Sequence, residues 1–396
     1  MHSLDNIPEV GKWLSQFQVP DKYLAEHMLH RLRYVPFMEQ ERWLQESIGN
    51  LVDDITRREG RVAIAIFPVA KPFINDFNIN KEHKAPNDSG GRIAHSLTNL
   101  MRNMPEYVEL TPRMESMKKR RVRHIVFVDD FIGTGDRFVK SWATMVSPSI
   151  KSWCSRGWCK VWLLSFAAHQ SGVNRVVHRI RPLVKERVLP HVSIDESFFW
   201  KNRALRAVVV KYGQDLGAPR QVMGYGQLAS PVIFQHGCPN NVPLIFWVRR
   251  NSKQRWTPLF PNRSVSTGVY PLFEHDWALS ALPEELWMAQ HYGAALNVLD
   301  SLSDHKESHQ LLLVLSLLST KSSLDTIRSI IIAPNDVFQR LLSKVRDGGL
   351  IDEKNDLTRF GRDVLARFSK VKKQSGPSDM LGNFYPASFL GFQRNA

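Results

Sequence analysis

The sequence predicts an α/β protein, a mostly parallel, doubly wound sheet flanked by helices, joined to a small separate helical unit near its carboxyl end. Three observations carry this. Apolar, β-branched runs alternate with helix-periodic segments over about 190 residues. Composition then shifts to Pro, Ser, Asn and aromatic residues between Asn251 and Pro283. Beyond that shift a compact set of amphipathic segments begins.

From Trp13 to Arg58 apolar residues return at helical spacing (Leu24, Met28, Leu32, then Trp43, Ile48, Leu51, Ile55), which predicts two or three helices. Arg61 to Phe67 reads as a buried strand stopped by Pro68, and the polar stretch Asn75 to Gly91 as a loop. Ile93 to Met104 is helical in pattern. His124 to Asp130 is a second buried strand, Phe138 to Met145 a helix, and Val161 to Phe166 a third strand. Ala204 to Tyr212 is open between helix and strand, because Val208-Val209-Val210 suits both. Short apolar runs follow at Val232 to Phe234 and Leu244 to Trp247. The expected organisation is a helical extension over 1–60, the α/β domain over 61–250, a connecting segment over 251–306, the helical unit over 307–370 and a polar tail over 371–396.

With 43% hydrophobic residues in a chain of 396, a packed core is expected and a disordered or fibrous chain is excluded. Lys and Arg number 53 against 38 Asp and Glu, a formal charge of +15, which favours anionic partners such as nucleic acid or phosphorylated metabolites. Cys154, Cys159 and Cys238 are too few for a disulfide scaffold, and Cys154 and Cys159 with His169 and His178 lack zinc-finger spacing, so no metal site is assigned. The first residues carry no basic start followed by an apolar stretch. The longest apolar run, Leu311 to Leu318, falls far short of the ~20 residues that span a bilayer, so cytoplasm is the expected compartment and no membrane partner is expected.

The chemistry concentrates in Val126-Phe-Val-Asp129-Asp130-Phe-Ile-Gly133-Thr134-Gly135-Asp136-Arg137. An apolar strand delivers two carboxylates, and a Gly-Thr-Gly turn then opens a helix. Backbone amides of such a turn, with the amino end of the helix, cradle a phosphate. The carboxylates would repel that phosphate but suit ribose hydroxyls or a Mg²⁺ ion. Acid pair first and phosphate turn second is the order a ribose 5-phosphate ligand requires; the other reading is an Asp-rich turn that only caps a helix. No P-loop run is present, and a dinucleotide fingerprint would place its glycines before the acid.

This segment resembles the phosphoribosyl pyrophosphate (PRPP) loop of type I phosphoribosyltransferases. The resemblance implies that Asp129 and Asp130 contact the ribose hydroxyls, while Gly133, Thr134, Gly135 and the amides of Asp136 and Arg137 hold the 5-phosphate. Asp136 and Arg137 depart from the small residue and Thr or Ser usual there, so ordinary nucleotide salvage or synthesis is not implied. Lys71, after the first core strand, falls where the family has its pyrophosphate loop, and is either that contact or an ordinary surface lysine. Ser89-Gly90-Gly91-Arg92 falls in the region of the family's mobile lid. Gly224-Tyr-Gly226 and His236-Gly-Cys-Pro239-Asn240-Asn241 resemble a divergent phosphoribosyltransferase-like group of bacterial conflict systems. There His236 is either a general acid or base or a capping residue of the turn.

In the carboxyl-terminal unit, Gln310 to Leu318, Leu324 to Ile332 and Pro334 to Arg346 read as three helices, the last stopped at Gly348-Gly349. A short hairpin around Lys354 and a final helix from Arg359 to Phe368 complete a pattern that resembles a winged helix-turn-helix. Gln339, Arg340, Ser343, Lys344 and Arg346 would lie on the recognition helix and Lys354 in the wing; the other reading is a module for protein contacts.

Together the resemblances imply a phosphoribosyltransferase-like effector acting on PRPP or a ribonucleotide at the anomeric carbon with Mg²⁺. They place it in bacterial anti-phage defence, as a retron-type toxin. Its winged helix would bind nucleic acid, DNA or an RNA–DNA hybrid such as msDNA, or a reverse transcriptase, within an oligomer or a larger complex. The competing reading is a non-catalytic, nucleotide-sensing DNA-binding regulator.

Overall fold

The computed structural model describes residues 4–69, 89–195, 203–217, 219–249, 256–274, 286, 306–331 and 333–369. The chain divides into two units, Val35–Ile194 and Met1–Tyr34 with Asp195–Ala396.

Helices α1 (Pro8–Leu14) and α2 (Val19–His30) open the chain, each with a proline in its first turn, where a missing N–H costs nothing. Strand β1 (Arg33–Val35) follows. Helix α3 (Phe37–Glu59) stops at Gly60, whose φ of 77° is left-handed. Its buried stripe, Gln40, Trp43, Leu44, Ile48, Leu51, Val52 and Ile55, keeps the three-and-four spacing of one helix face.

In the unit 35–194, β2 (Ile64–Pro68), β3 (Val108–Leu110), β4 (His124–Ile132), β5 (Lys160–His169) and β6 (Val188–Ile194) form one sheet in the order β3-β2-β4-β5-β6, every pair parallel. Between β2 and β3 the chain makes α4 (Ser89–Met101), and before β4 comes α5 (Met114–Arg120). Helices α6 (Asp136–Met145) and α7 (Pro148–Ser155) connect β4 to β5, and α8 (Gln170–Arg179) connects β5 to β6. One face packs Phe127, Val161 and Leu163 against Phe138, Trp142, Ile150 and Val176. On the other, Trp43 of α3 meets Phe166 of β5 edge-on at 5.6 Å. Burial on both faces explains why β2, β4 and β5 read as continuous apolar runs. The chain runs from β2 outward to β3 and then crosses to β4 on the opposite side. The topological switch point therefore lies between β2 and β4, where open α/β sheets bind ligands at their carboxyl ends.

In the other unit, Ala204 to Tyr212 is helical, within α9 (Arg203–Gly213), with Val208 and Val209 buried and Val210 exposed. Strand β7 (Val232–Phe234) pairs with β1. Trp13 is fully buried, stacks on Phe246 at 5.1 Å and donates its indole N–H to Ile245 O at 3.0 Å. Further along, α10 (Lys306–Ser319), α11 (Leu324–Ile331) and α12 (Asn335–Asp347) are followed by an antiparallel bridge between Ile351 and Leu357 and by α13 (Arg359–Ser369). These helices share a core that includes Val314, Ile327, Phe338, Val345 and Leu365.

At the amino end of β4, buried His124 receives a hydrogen bond on Nδ1 from Trp162 at 3.0 Å, and its Nε2 lies 3.2 Å from Glu59. Lys160 holds the same Glu59 at 2.5 Å. Burial lowers the His124 pKa despite Glu59, so the folded protein resists a proton that the unfolded chain accepts. Stability is expected to fall as pH drops below the ordinary histidine value of 6.5, by up to about 1.4 kcal/mol per pH unit until the lowered native value is reached. Urea unfolding at pH 7.5, 6.5 and 5.5 should show that His124→Gln flattens this slope.

Candidate active site

Strand β4 carries Asp129 and Asp130 to the carboxyl end of the sheet, where both are buried, 2% and 4% exposed. The strand runs two residues further than its sequence suggests, because Phe131 and Ile132 still pair with Ala167 and Ala168 of β5. Two adjacent carboxylates in so dry a place need a cation. Arg137, in the first turn of α6, supplies it: its guanidinium donates to Asp129 and, at 2.9 Å, to Asp130 Oδ1. The Asp130 amide also donates to Asp129 Oδ1 at 2.9 Å.

The Gly133-Thr134-Gly135 turn leads straight into α6. Gly135 has φ 78°, and a Cβ there would lie 2.7 Å from Gly172 O and 2.8 Å from Val176 Cγ2 of α8. A Cβ on Gly172 would in turn strike Gly133 O. Backbone therefore packs on backbone, and only glycine allows it. Thr134 Oγ1 donates to Asp136 Oδ2 at 2.9 Å. Asp136 is paired with Arg175 of α8 at 2.6 Å, so the carboxylate that departs from the phosphoribosyl pattern is matched by a cation brought from elsewhere in the fold.

Other groups meet this place without a sequence motif to announce them. Ser165, fully buried, sits in register with Asp129 on β5, and its hydroxyl finds no hydrogen-bond partner among the described residues. His169, fully buried at the end of β5, lies edge-on to Phe131 at 5.8 Å. Their one sequence signal was position, at the carboxyl end of an apolar run.

Lys71 lies outside the described residues. Gly91 and Arg92 belong to the first turns of α4, with the Arg92 guanidinium 4.8 Å above the ring of Phe37. His236 belongs to the other unit, after β7, where its ring stacks on Phe234 at 5.1 Å. In the same turn Asn241 donates to Tyr225 O at 2.8 Å, and the Tyr225 amide donates to Asn240 O at 2.8 Å. Gly224, at φ 84°, lies so close to Asn241 that no side chain fits. The two sequence motifs, Gly-Tyr-Gly and Pro-Asn-Asn, thus clasp each other.

Gln339, Arg340, Ser343, Lys344 and Arg346 are exposed on α12, and Lys354 is exposed between the two bridged residues. Part of their charge is already engaged: Arg340 pairs with Asp336 at 3.1 Å, and Arg346 donates to Asn355 at 2.8 Å. Among the described residues no three His, Cys, Asp or Glu side chains gather as a metal cage. Burial pushes the thiols of Cys154 and Cys159 up to about 12 and about 11, which suits packed core side chains.

A family model described as PRTase-CE matches residues 10–262. The chain belongs to this family. PRTase-CE membership gives it a phosphoribosyltransferase-like domain, in accord with the parallel sheet and the loop after β4. The PRTase-CE match takes in all of the unit 35–194 and part of the other, and stops short of α10 to α13. No curated protein and no solved structure matches the chain. Among the described residues no helix is long and apolar enough to cross a membrane.

Removing Arg137 strands two buried charges. Arg137→Ala is expected to destabilise the protein by about 2 kcal/mol, below the range for fully buried pairs because the guanidinium is 32% exposed. Asp129→Asn in that background should recover part of the loss. A double-mutant cycle by urea unfolding reads the coupling.

Proposed function

We propose that the protein acts at the anomeric carbon of a ribose 5-phosphate compound, PRPP or a ribonucleotide. The observation that carries this reading is the acidic pair and its Gly-Thr-Gly turn, set at the switch point of a parallel sheet and opening α6. Asp129 and Asp130 would bind the ribose hydroxyls, and the amides from Gly133 to Arg137 the 5-phosphate. Arg137 would trade one anion for another, moving from the carboxylates to the incoming phosphate or pyrophosphate. Mg²⁺ takes oxygen ligands of the kind Asp129 and Asp130 offer, and when bound with a pyrophosphate it neutralises the leaving group. An anomeric centre of oxocarbenium character is stabilised by fixed negative groups beside it, which the pair provides. The resemblance supports His236 as a general acid or base; His236→Gln is expected to lower turnover and leave ribose 5-phosphate binding unchanged.

The resemblance to bacterial conflict proteins supports an anti-phage effector of retron type, with α10 to α13 as a winged helix that binds nucleic acid such as msDNA or a reverse transcriptase and controls release of the toxin. The exposed row on α12 supports a nucleic-acid face. Alanine at Arg340 and Lys344 should weaken duplex DNA binding and reduce its log–log salt slope by about 2, measured by fluorescence anisotropy.

A second reading has its own support. Arg137 already holds both carboxylates, so a ligand must draw the guanidinium away before the pair can act on it. Incubating the full chain with PRPP, NAD and nucleotides under Mg²⁺, followed by mass spectrometry, separates the two. Conversion by wild type and its loss in Asp129→Asn/Asp130→Asn supports the enzyme. Unchanged metabolite pools, with ligand-dependent DNA binding that the same double variant abolishes, supports the regulator.

A further inference from the structure

All five strands of the sheet run the same way, so the segments that lead into β2, β4, β5 and β6 meet along one rim, opposite the acidic pair. That rim is basic. Arg61 precedes β2, Arg121 and Arg123 precede β4, Arg156 precedes β5 and Lys185 precedes β6, and all are exposed. The backbone fixes them. The Arg123 amide donates to Ala63 O at 2.9 Å, the Lys160 amide donates to Arg123 O at 2.8 Å, and Cys159 Sγ reaches Val122 O at 2.8 Å. Neighbouring strands lie about 4.8 Å apart, so the four approaches spread cations over roughly 15 Å. None of Arg61, Arg121, Arg123 or Lys185 forms an ion pair with a described residue. The nearby Glu59 is bound to Lys160 and His124, and Glu109 to Arg120, so only exposed Glu186, beside Lys185, dilutes the charge at the β6 end.

Amid these cations stands Trp158, 52% exposed, with the Arg156 guanidinium 5.1 Å from its ring centre. This large indole stands half in water, with Arg156 beside it. Cations along a rim with an open aromatic face are the combination that binds single-stranded nucleic acid, backbone on the charges and a base on the ring. Duplex DNA keeps its bases stacked inside, whereas a single strand can lay one on the indole.

We propose that this rim binds single-stranded nucleic acid, at a site separate from both the acidic pair and α12. The test uses the full chain and a fluorescein-labelled 20-mer of deoxythymidine, with anisotropy measured from 50 to 300 mM NaCl. Arg121→Asn/Arg123→Ala/Arg156→Ala is expected to reduce the log–log salt slope by about 2, at ~0.7 per lost phosphate contact. Asn is chosen at 121 because Arg121 has φ 53°, which Asn tolerates. Trp158→Ala should weaken binding about 5- to 100-fold with the slope unchanged. Both variants alter exposed side chains and should melt like wild type. The proposal is overturned if wild type fails to bind at 50 mM salt, if either variant binds as wild type does, if unlabelled duplex competes as well as single strand, or if alanine at Arg340 and Lys344 alone abolishes binding.

Discussion

One guanidinium between two buried carboxylates sets the terms for the rest of the phosphoribosyl-like unit. Asp129 and Asp130 are consecutive on a strand covered on both faces, and both are buried. Arg137 can serve both only if α6 begins at once after the strand. That requires the chain to reverse within Gly133-Thr134-Gly135, and the reversal requires Gly135 in a left-handed conformation pressed onto α8. Gly172 must then lack a side chain to accept Gly133 O. Charge at the strand end, the tightness of the turn and the seating of α8 are one connected requirement.

Much of this was legible in the sequence, for physical reasons that also mark where legibility stopped. The central strands β2, β4 and β5 announced themselves because burial on both faces demands unbroken apolar runs. The outer strands did not: β3 is only Val-Glu-Leu, and β6 holds Pro190 and His191 in positions that a central strand would refuse. The valine triplet at 208–210 carried strand propensity, yet two of its members face a core at helical spacing, and packing decided. At the site, the acid pair and its glycines were visible as a local string. What Asp136 and Arg137 do was not, since a local string does not name the partner of either charge. The fold instead gives Arg137 to the acid pair and brings Arg175 from another helix to Asp136. Ser165 likewise enters through strand register, which no local pattern encodes.

The PRTase-CE match and the chemistry divide the chain in different ways. The acidic pair, its arginine and its glycines all fall in the unit 35–194, whereas His236 and its clasped Gly-Tyr-Gly partner fall in the unit built from both ends of the chain. The family match takes in residues of both. The helices after residue 306 share a core of their own and lie beyond that match.

The interleaving of the two units also has a consequence in time. Trp13 donates to Ile245, 232 residues later in the chain, and α1 and α2 share a core with residues 205–272. At roughly 5 to 20 residues per second, the ribosome takes on the order of 10 to 50 seconds to deliver that partner. The unit 35–194 is complete well before then. The opening helices must wait, with the partners of Trp13, Leu14 and Phe17 still unmade, while a whole α/β domain is synthesised between them and their destination.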